Sequence, residues 1–120
     1  MQIVTRRADD RLFVRLTGEL DLDLAAAFTA EVRRELERSR QIKHLVLDLR
    51  GVTFIDSSGV GAIIGRYKDL QRRGNGRMVA FGSRPQVRRV LEFTGLLRLM
   101  ALADSQRQAL AELEKEDSAS

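Results

Sequence analysis

The chain has 120 residues, 43% hydrophobic and 32% charged, with a formal net charge of +4; this suits one folded domain and argues against wholesale disorder. It contains no cysteine and a single histidine, His44, which excludes disulfides, thiolate metal sites, cysteine nucleophiles and multi-histidine metal centres. No apolar run approaches the ~18 residues of a membrane span, and the first residues lack a signal-peptide core. The reading is a cytoplasmic protein without a membrane partner.

Ile3 to Thr5 and Leu12 to Thr17 read as short strands around an Asp9-Asp10 turn, the second alternating Leu12, Val14, Leu16 with Phe13 and Arg15. Gly18 is expected to break that strand, and Glu19-Leu20-Asp21 to form a loop in which Asp21 or Asp23 caps a helix running to about Arg38. Leu24, Phe28, Val32 and Leu36 give that helix its buried face. The run His44 to Leu49 has the pattern of a central parallel strand covered on both faces. A second helix, with Val60, Ile63, Ile64, Tyr67 and Leu70 in phase, is expected to reach Arg73 and end at Gly74-Asn75-Gly76. Met78 to Phe81 is another buried strand, and Pro85 opens a third helix whose buried face is Val87, Val90 and Leu91. Thr94-Gly95 ends it, Leu97 to Leu102 reads as a last strand, and Ser105 with Gln108 has capping-box spacing for a final helix to about Lys115. The order β-β-α-β-α-β-α-β-α implies a mainly parallel sheet with right-handed crossovers. One domain is expected over residues 1–116, with a frayed tail at 117–120.

Between the third strand and second helix lies Val52-Thr53-Phe54-Ile55-Asp56-Ser57-Ser58-Gly59-Val60-Gly61. An apolar run stops at Asp-Ser-Ser-Gly and helical periodicity begins at once. Two hydroxyls therefore sit at a helix N-terminus, where free N–H groups and the helix dipole favour negative charge. The glycines that follow have G-x-G-x-x-x-G spacing, one residue too long for a dinucleotide fingerprint, and they begin inside the helix pattern. Gly61 and Gly65 instead suggest close approach to a neighbouring helix or a partner, since each costs up to ~1 kcal/mol of helix propensity. A serine hydrolase would need a base within hydrogen-bond reach, but His44 begins its strand and Ser57 follows the far end, roughly 16 Å away on a short-strand reading. Ile55 also stands where a nucleophile elbow needs glycine. Asp56, Ser57 and Ser58 are all good helix caps, while only one cap is needed. On the residues alone, a plain cap and a phosphorylation switch both remain open.

Nine Lys/Arg face two acids between residues 61 and 100. Nucleic-acid binding through this half competes with a merely solvated helix surface. The second is preferred, because only 5% of residues are aromatic and no nucleic-acid motif is present.

The segments Thr17-Gly18-Glu19-Leu20-Asp21, Leu45 to Leu49 and V-T-F-I-D-S-S-G-V-G-A-I-I-G-R-Y-K from Val52 to Lys68, with Leu96 after Thr94-Gly95, resemble STAS domains. Within that family they are similar to the anti-sigma-factor antagonists of sporulation. The likeness runs from about Leu12 to Leu113. It implies an α/β STAS fold with about five strands and helices chiefly on one side of the sheet. It further implies a non-enzymatic partner switch that binds an anti-sigma factor serine kinase and so frees a sigma factor. ATP and magnesium would belong to the kinase, this chain having no cofactor of its own. Ser57 would be the phosphorylated residue and a PP2C-type serine phosphatase would restore it. Asp56 and Ser58 would flank the acceptor, Asp21 would lie at the same sheet end, and Gly59 and Gly61 would let the kinase approach. An antagonist of the general-stress branch, or a signalling scaffold subunit, is the alternative the resemblance leaves open. Direct nucleic-acid binding is not implied.

Overall fold

A computed structural model describes residues 2–119 of the chain, without the side chains from 116 onward; of the tail expected to fray at 117–120, Ser120 lies outside the described residues and the backbone of 117–119 belongs to the last helix. The elements are β1 (Ile3–Ala8), β2 (Arg11–Leu20), α1 (Leu22–Arg38), β3 (His44–Ile55), α2 (Ser57–Arg73), β4 (Met78–Phe81), α3 (Pro85–Phe93), a short 3-10 turn (Leu96–Arg98), β5 (Ala101–Ala103) and α4 (Gln106–Ala119). The sheet order follows the chain, β1-β2-β3-β4-β5. β1 runs antiparallel to β2, joined by a turn in which Asp9 takes φ 56°, and the remaining pairs are parallel.

Alternation along the strands sorts two apolar clusters. Leu12, Val14, Leu45, Leu47 and Met78 face α1, α2 and α3, meeting Phe28, Val32, Ile63 and Leu91. On the other face Val46, Val79 and Phe81 meet Ala109 and Leu113 of α4. Helices thus lie chiefly on one side, and β3 is covered on both over His44 to Leu49. Each fully buried Leu or Phe here contributes about 1.5–3 kcal/mol against remaining in water. Val90 is only partly buried, so α3 rests mainly on Val87 and Leu91.

The structure corrects the sequence reading at three elements. Gly18 does not end β2, which continues to Leu20. Gly18 takes φ 106°, a conformation open to glycine, and the ladder shifts register between Gly18 and Glu19 while pairing resumes. β3 likewise runs for 12 residues to Ile55 as one strand. Its shifts against β2 keep Leu49, Val52 and Ile55 on the core although they are three apart. The expected last strand from Leu97 is instead the 3-10 turn, with β5 starting only at Ala101. Gly95 at φ 80° initiates that turn, and buried Leu96 and Met100 sit at helical rather than alternating spacing, bonded Met100 N–H to Leu96 carbonyl at 3.2 Å.

Arg66 is not a solvated residue of α2. It is 3% exposed and donates through Nε to Asp69 at 2.9 Å and through a guanidinium nitrogen to Thr29 of α1. Asp69 also accepts from Arg33 of α1 at 3.2 Å and from Arg72 at 2.9 Å, so one carboxylate ties the two helices together. Burial raises the Asp69 pKa, but the hydrogen bonds and charges of Arg33 and Arg66 outweigh it and hold the carboxyl below its ordinary value. Burial also lowers the Arg66 pKa, partly offset by Asp69. A guanidinium stays protonated at neutral pH all the same.

Much of the positive charge between residues 61 and 100 has this kind of structural work. Arg73 donates to the carbonyls of Leu36 and Ser39, and Arg77 donates to that of Glu112 at 2.8 Å. Arg84 donates to that of Arg50 at 3.2 Å, and Arg88 pairs with Glu92 and Asp104. These bonds fasten helix ends and loops to one another.

Candidate functional site

The parallel pairing of Leu20 with Ile55 brings the ends of β2 and β3 side by side. The next residue of each strand is the cap of a helix. Asp21 accepts from Leu24 N–H at 3.1 Å, capping α1. Asp56 accepts from Ser58 N–H at 2.9 Å and Gly59 N–H at 3.1 Å, capping α2, while its own N–H donates to the Leu20 carbonyl at 3.4 Å. The local sequence dictates this: an extended Asp after a strand has the short carboxylate that reaches back to the first free N–H groups of the helix.

Of the three capping candidates, the cap of α2 therefore belongs to Asp56 and to neither serine. Ser57 is the first residue of the helix and is exposed. Ser58 is half-buried and lines a shallow groove of about 510 Å³ between α1 and α2, with Leu22, Ala26, Thr29 and Ala62. Among the described residues, neither serine hydroxyl makes a hydrogen bond. The Ser57 oxygen is thus open to chemistry brought by another molecule, beside two carboxylates at the same sheet end.

The glycines divide by role. A Cβ on Gly59 would meet the Leu20 carbonyl oxygen at 2.5 Å and Ile55 Cγ1 at 2.8 Å, so its missing side chain serves the contact of α2 with β2 and β3. Gly61 and Gly65 have nothing within 4 Å. Within the chain, the close helix approach expected at these two positions is absent. Gly61 is exposed one turn past Asp56.

His44 lies at the opposite end of the 12-residue β3, on the order of 35 Å of strand from Ser57. The separation is larger than the short-strand reading implied, because β3 does not stop at Leu49. His44 is buried, with Nδ1 accepting from Arg77 N–H at 3.0 Å and Nε2 lying 3.9 Å from Asp10. Sequence reasoning missed two exposed apolar residues at the site end, Leu22 at 68% and Phe54 at 48% exposure. Leu22 carries a readable signal, standing between Asp21 and Asp23 and out of phase with the Leu24–Phe28–Val32–Leu36 stripe. No helix among the described residues is long and apolar enough to cross a membrane.

The molecule thus combines a five-stranded, mainly parallel sheet with a capped serine pair at the start of its second helix. Residues 2–109 match the STAS domain model, and the chain belongs to that family. It is similar to an anti-sigma F factor antagonist of Paenibacillus polymyxa, with 41% identity over 103 residues and 86% of each chain covered. It is also similar to an anti-sigma-B factor antagonist of Listeria monocytogenes, 32% identical over 96 residues, covering 78% of this chain and 79% of that one. Among solved structures it resembles a putative anti-sigma factor antagonist from Thermotoga maritima, with TM-score 0.82, 26% identity, and 93% and 94% of the two chains covered.

Proposed function

We propose that this protein is an anti-sigma-factor antagonist whose unmodified form binds an anti-sigma factor serine kinase in the cytoplasm, and that phosphorylation of Ser57 ends the partnership. The observation that carries the reading is the division of labour at the start of α2. Asp56 performs the capping, which leaves the exposed Ser57 hydroxyl without a structural duty. The resemblance to antagonists of anti-sigma factors supports it.

The mechanism is electrostatic. A phosphate on Ser57 would add about −1.5 to −2 charges at neutral pH. They would join the carboxylates of Asp21 and Asp56 at one sheet end. The helix dipole welcomes an anion by only about 0.3–1 kcal/mol, whereas desolvating unmatched charge within an interface costs several kcal/mol on the order-of-magnitude scale of buried ions. Partner contacts are assigned to Asp21, Asp56, Ser57, Ser58 and Gly61, with Gly59 allowing the helix start to sit low against the sheet. The kinase supplies ATP and magnesium, and a PP2C-type phosphatase regenerates the binding form. This chain catalyses nothing itself.

Incubation with the cognate anti-sigma kinase and ATP tests the reading, followed by mapping of the phosphate and a binding measurement. Phosphate on any residue other than Ser57, or unchanged binding after modification, would sink it. A general-stress antagonist or scaffold role is the second reading, favoured by the similarity to an anti-sigma-B factor antagonist. A megadalton assembly on size-exclusion chromatography would select the scaffold.

A further inference from the structure

The sheet face that carries α4 is only half covered. α4 lies over the row Val46, Val79 and Phe81 through Ala109 and Leu113. Beside it the register places Val4 opposite Arg15, Arg15 opposite Asp48, and Asp48 opposite Phe81, one row across four strands that is exposed at Val4 and Arg15 and buried at Asp48 and Phe81. A cleft of about 210 Å³ opens there, floored by Phe13, Val46 and Phe81 and closed at one side by Gln106. Three arginines stand around it, Arg6, Arg15 and Arg50, against the single acid Asp48.

These cations are not equivalent. Arg50 donates through Nε and Nη2 to the two oxygens of Asp48, at 3.0 and 2.8 Å, and lies over the Phe81 ring at 5.4 Å. Asp48 is thereby matched and its oxygens are occupied, one also accepting the Arg50 N–H at 3.1 Å. Arg6 places its guanidinium carbon over the Phe13 ring, 4.4 Å from the centroid. Neither Arg6 nor Arg15 donates a hydrogen bond among the described residues. Two guanidinium groups that donate no hydrogen bond thus border the cleft, Arg15 also being attracted to Asp48, and the cleft is two positive charges in excess.

We propose that this cleft is a binding site for a small phosphate monoester with a compact apolar or planar body. Planar guanidinium forks match phosphate oxygens in paired hydrogen bonds. A monoester carries about −1.5 to −2 charges at neutral pH, the charge the cleft lacks. The apolar contact for the organic body comes from half-buried Phe13, since Val46 and Phe81 are only 1% and 2% exposed. The volume falls below the ~300–1,000 Å³ usual for drug-sized ligands, which selects a small ester over a nucleotide. The site is separate from Ser57, since none of its lining residues belongs to α2 or its cap.

The experiment is an amide-resolved NMR titration of the full chain with phenyl phosphate, using phenol and inorganic phosphate as comparisons. Saturable shifts are expected at Arg6, Phe13, Arg15 and Arg50, weakened by salt, with inorganic phosphate binding more weakly and phenol failing to saturate. Arg15→Gln and Arg6→Gln should each raise Kd about tenfold or more with unchanged melting, as loss of a charge-assisted pair requires. Arg15→Lys, which keeps the charge and loses the fork, should fall between. Absence of saturation, equal affinity in wild type and Arg15→Gln, or shifts confined to the start of α2 would each overturn the assignment. Equal affinity for inorganic phosphate would do the same by removing the role of the aromatic floor.

Discussion

Replacing Asp56, Ser57 and Ser58 one at a time by alanine separates capping from chemistry. Asp56 satisfies two helix N–H groups at 2.9 and 3.1 Å, so Asp56→Ala leaves both to water. Such a cap is worth ~1 kcal/mol and at most about 2. For a domain of this size that is a drop of roughly 3–5 °C in melting temperature. Asp56→Asn keeps an accepting oxygen at the same reach and should recover most of the loss. Ser57→Ala removes an exposed hydroxyl, and Ser58→Ala a half-buried one, neither bonded among the described residues; each should stay within about ±0.5 kcal/mol. Urea and thermal melts followed by circular dichroism measure all four variants. If Ser57→Ala or Ser58→Ala cost as much as Asp56→Ala, the capping assignment would be wrong, and Ser57 could no longer be described as free for modification.

Ser57→Ala should bind the anti-sigma kinase constitutively, while Ser57→Asp should bind more weakly, although one negative charge imitates a phosphate poorly; binding isotherms against the purified kinase check both. Gly59→Ala drives a methyl toward the Leu20 carbonyl at 2.5 Å and should destabilise by about 1–3 kcal/mol. Gly61→Ala and Gly65→Ala meet nothing within 4 Å and should stabilise by up to ~1 kcal/mol each; chemical denaturation ranks the three. Asp69→Ala strands the buried Arg66 and should cost about 3 kcal/mol or more at neutral pH. Because the Asp69 pKa is depressed on folding, its contribution is present above the ordinary value of 3.8 and is lost as pH falls through the lower folded value. The gap between wild type and Asp69→Ala should therefore be flat from neutral pH to about pH 5 and close in acid below pH 4. A gap that grew on acidification would contradict that sign.

The elements with strong local signals were legible in the chain. α1 carries its buried residues at steps of four behind an Asp cap, and β4 is four buried residues between glycine turns. The errors fell where neighbours override local pattern. Gly18 looked like a stop because glycine lowers strand propensity, but parallel pairing with β3 carries β2 through it to Leu20. Leu97 to Leu102 looked like a strand because short apolar runs carry no usable period; Gly95 and the burial of Leu96 decided for a turn. The charge bias was visible as a number and opaque as a cause, since ion pairs such as Arg33 with Asp69 span elements far apart in the chain.

By itself the sequence determined the alternation of strands and helices, the class of fold, and the place where a polar Asp-Ser-Ser-Gly turn meets a helix start. Those properties depend on near neighbours, through periodicity, turn residues and caps. Tertiary structure alone decided which of the three polar residues caps α2, because that depends on where Asp56 leaves β3. It alone decided that Gly59 serves the sheet, since the Leu20 carbonyl comes from another strand. It alone set Arg6, Arg15 and Arg50 around one cleft, for their common face is created by pairing β1, β2 and β3 in register.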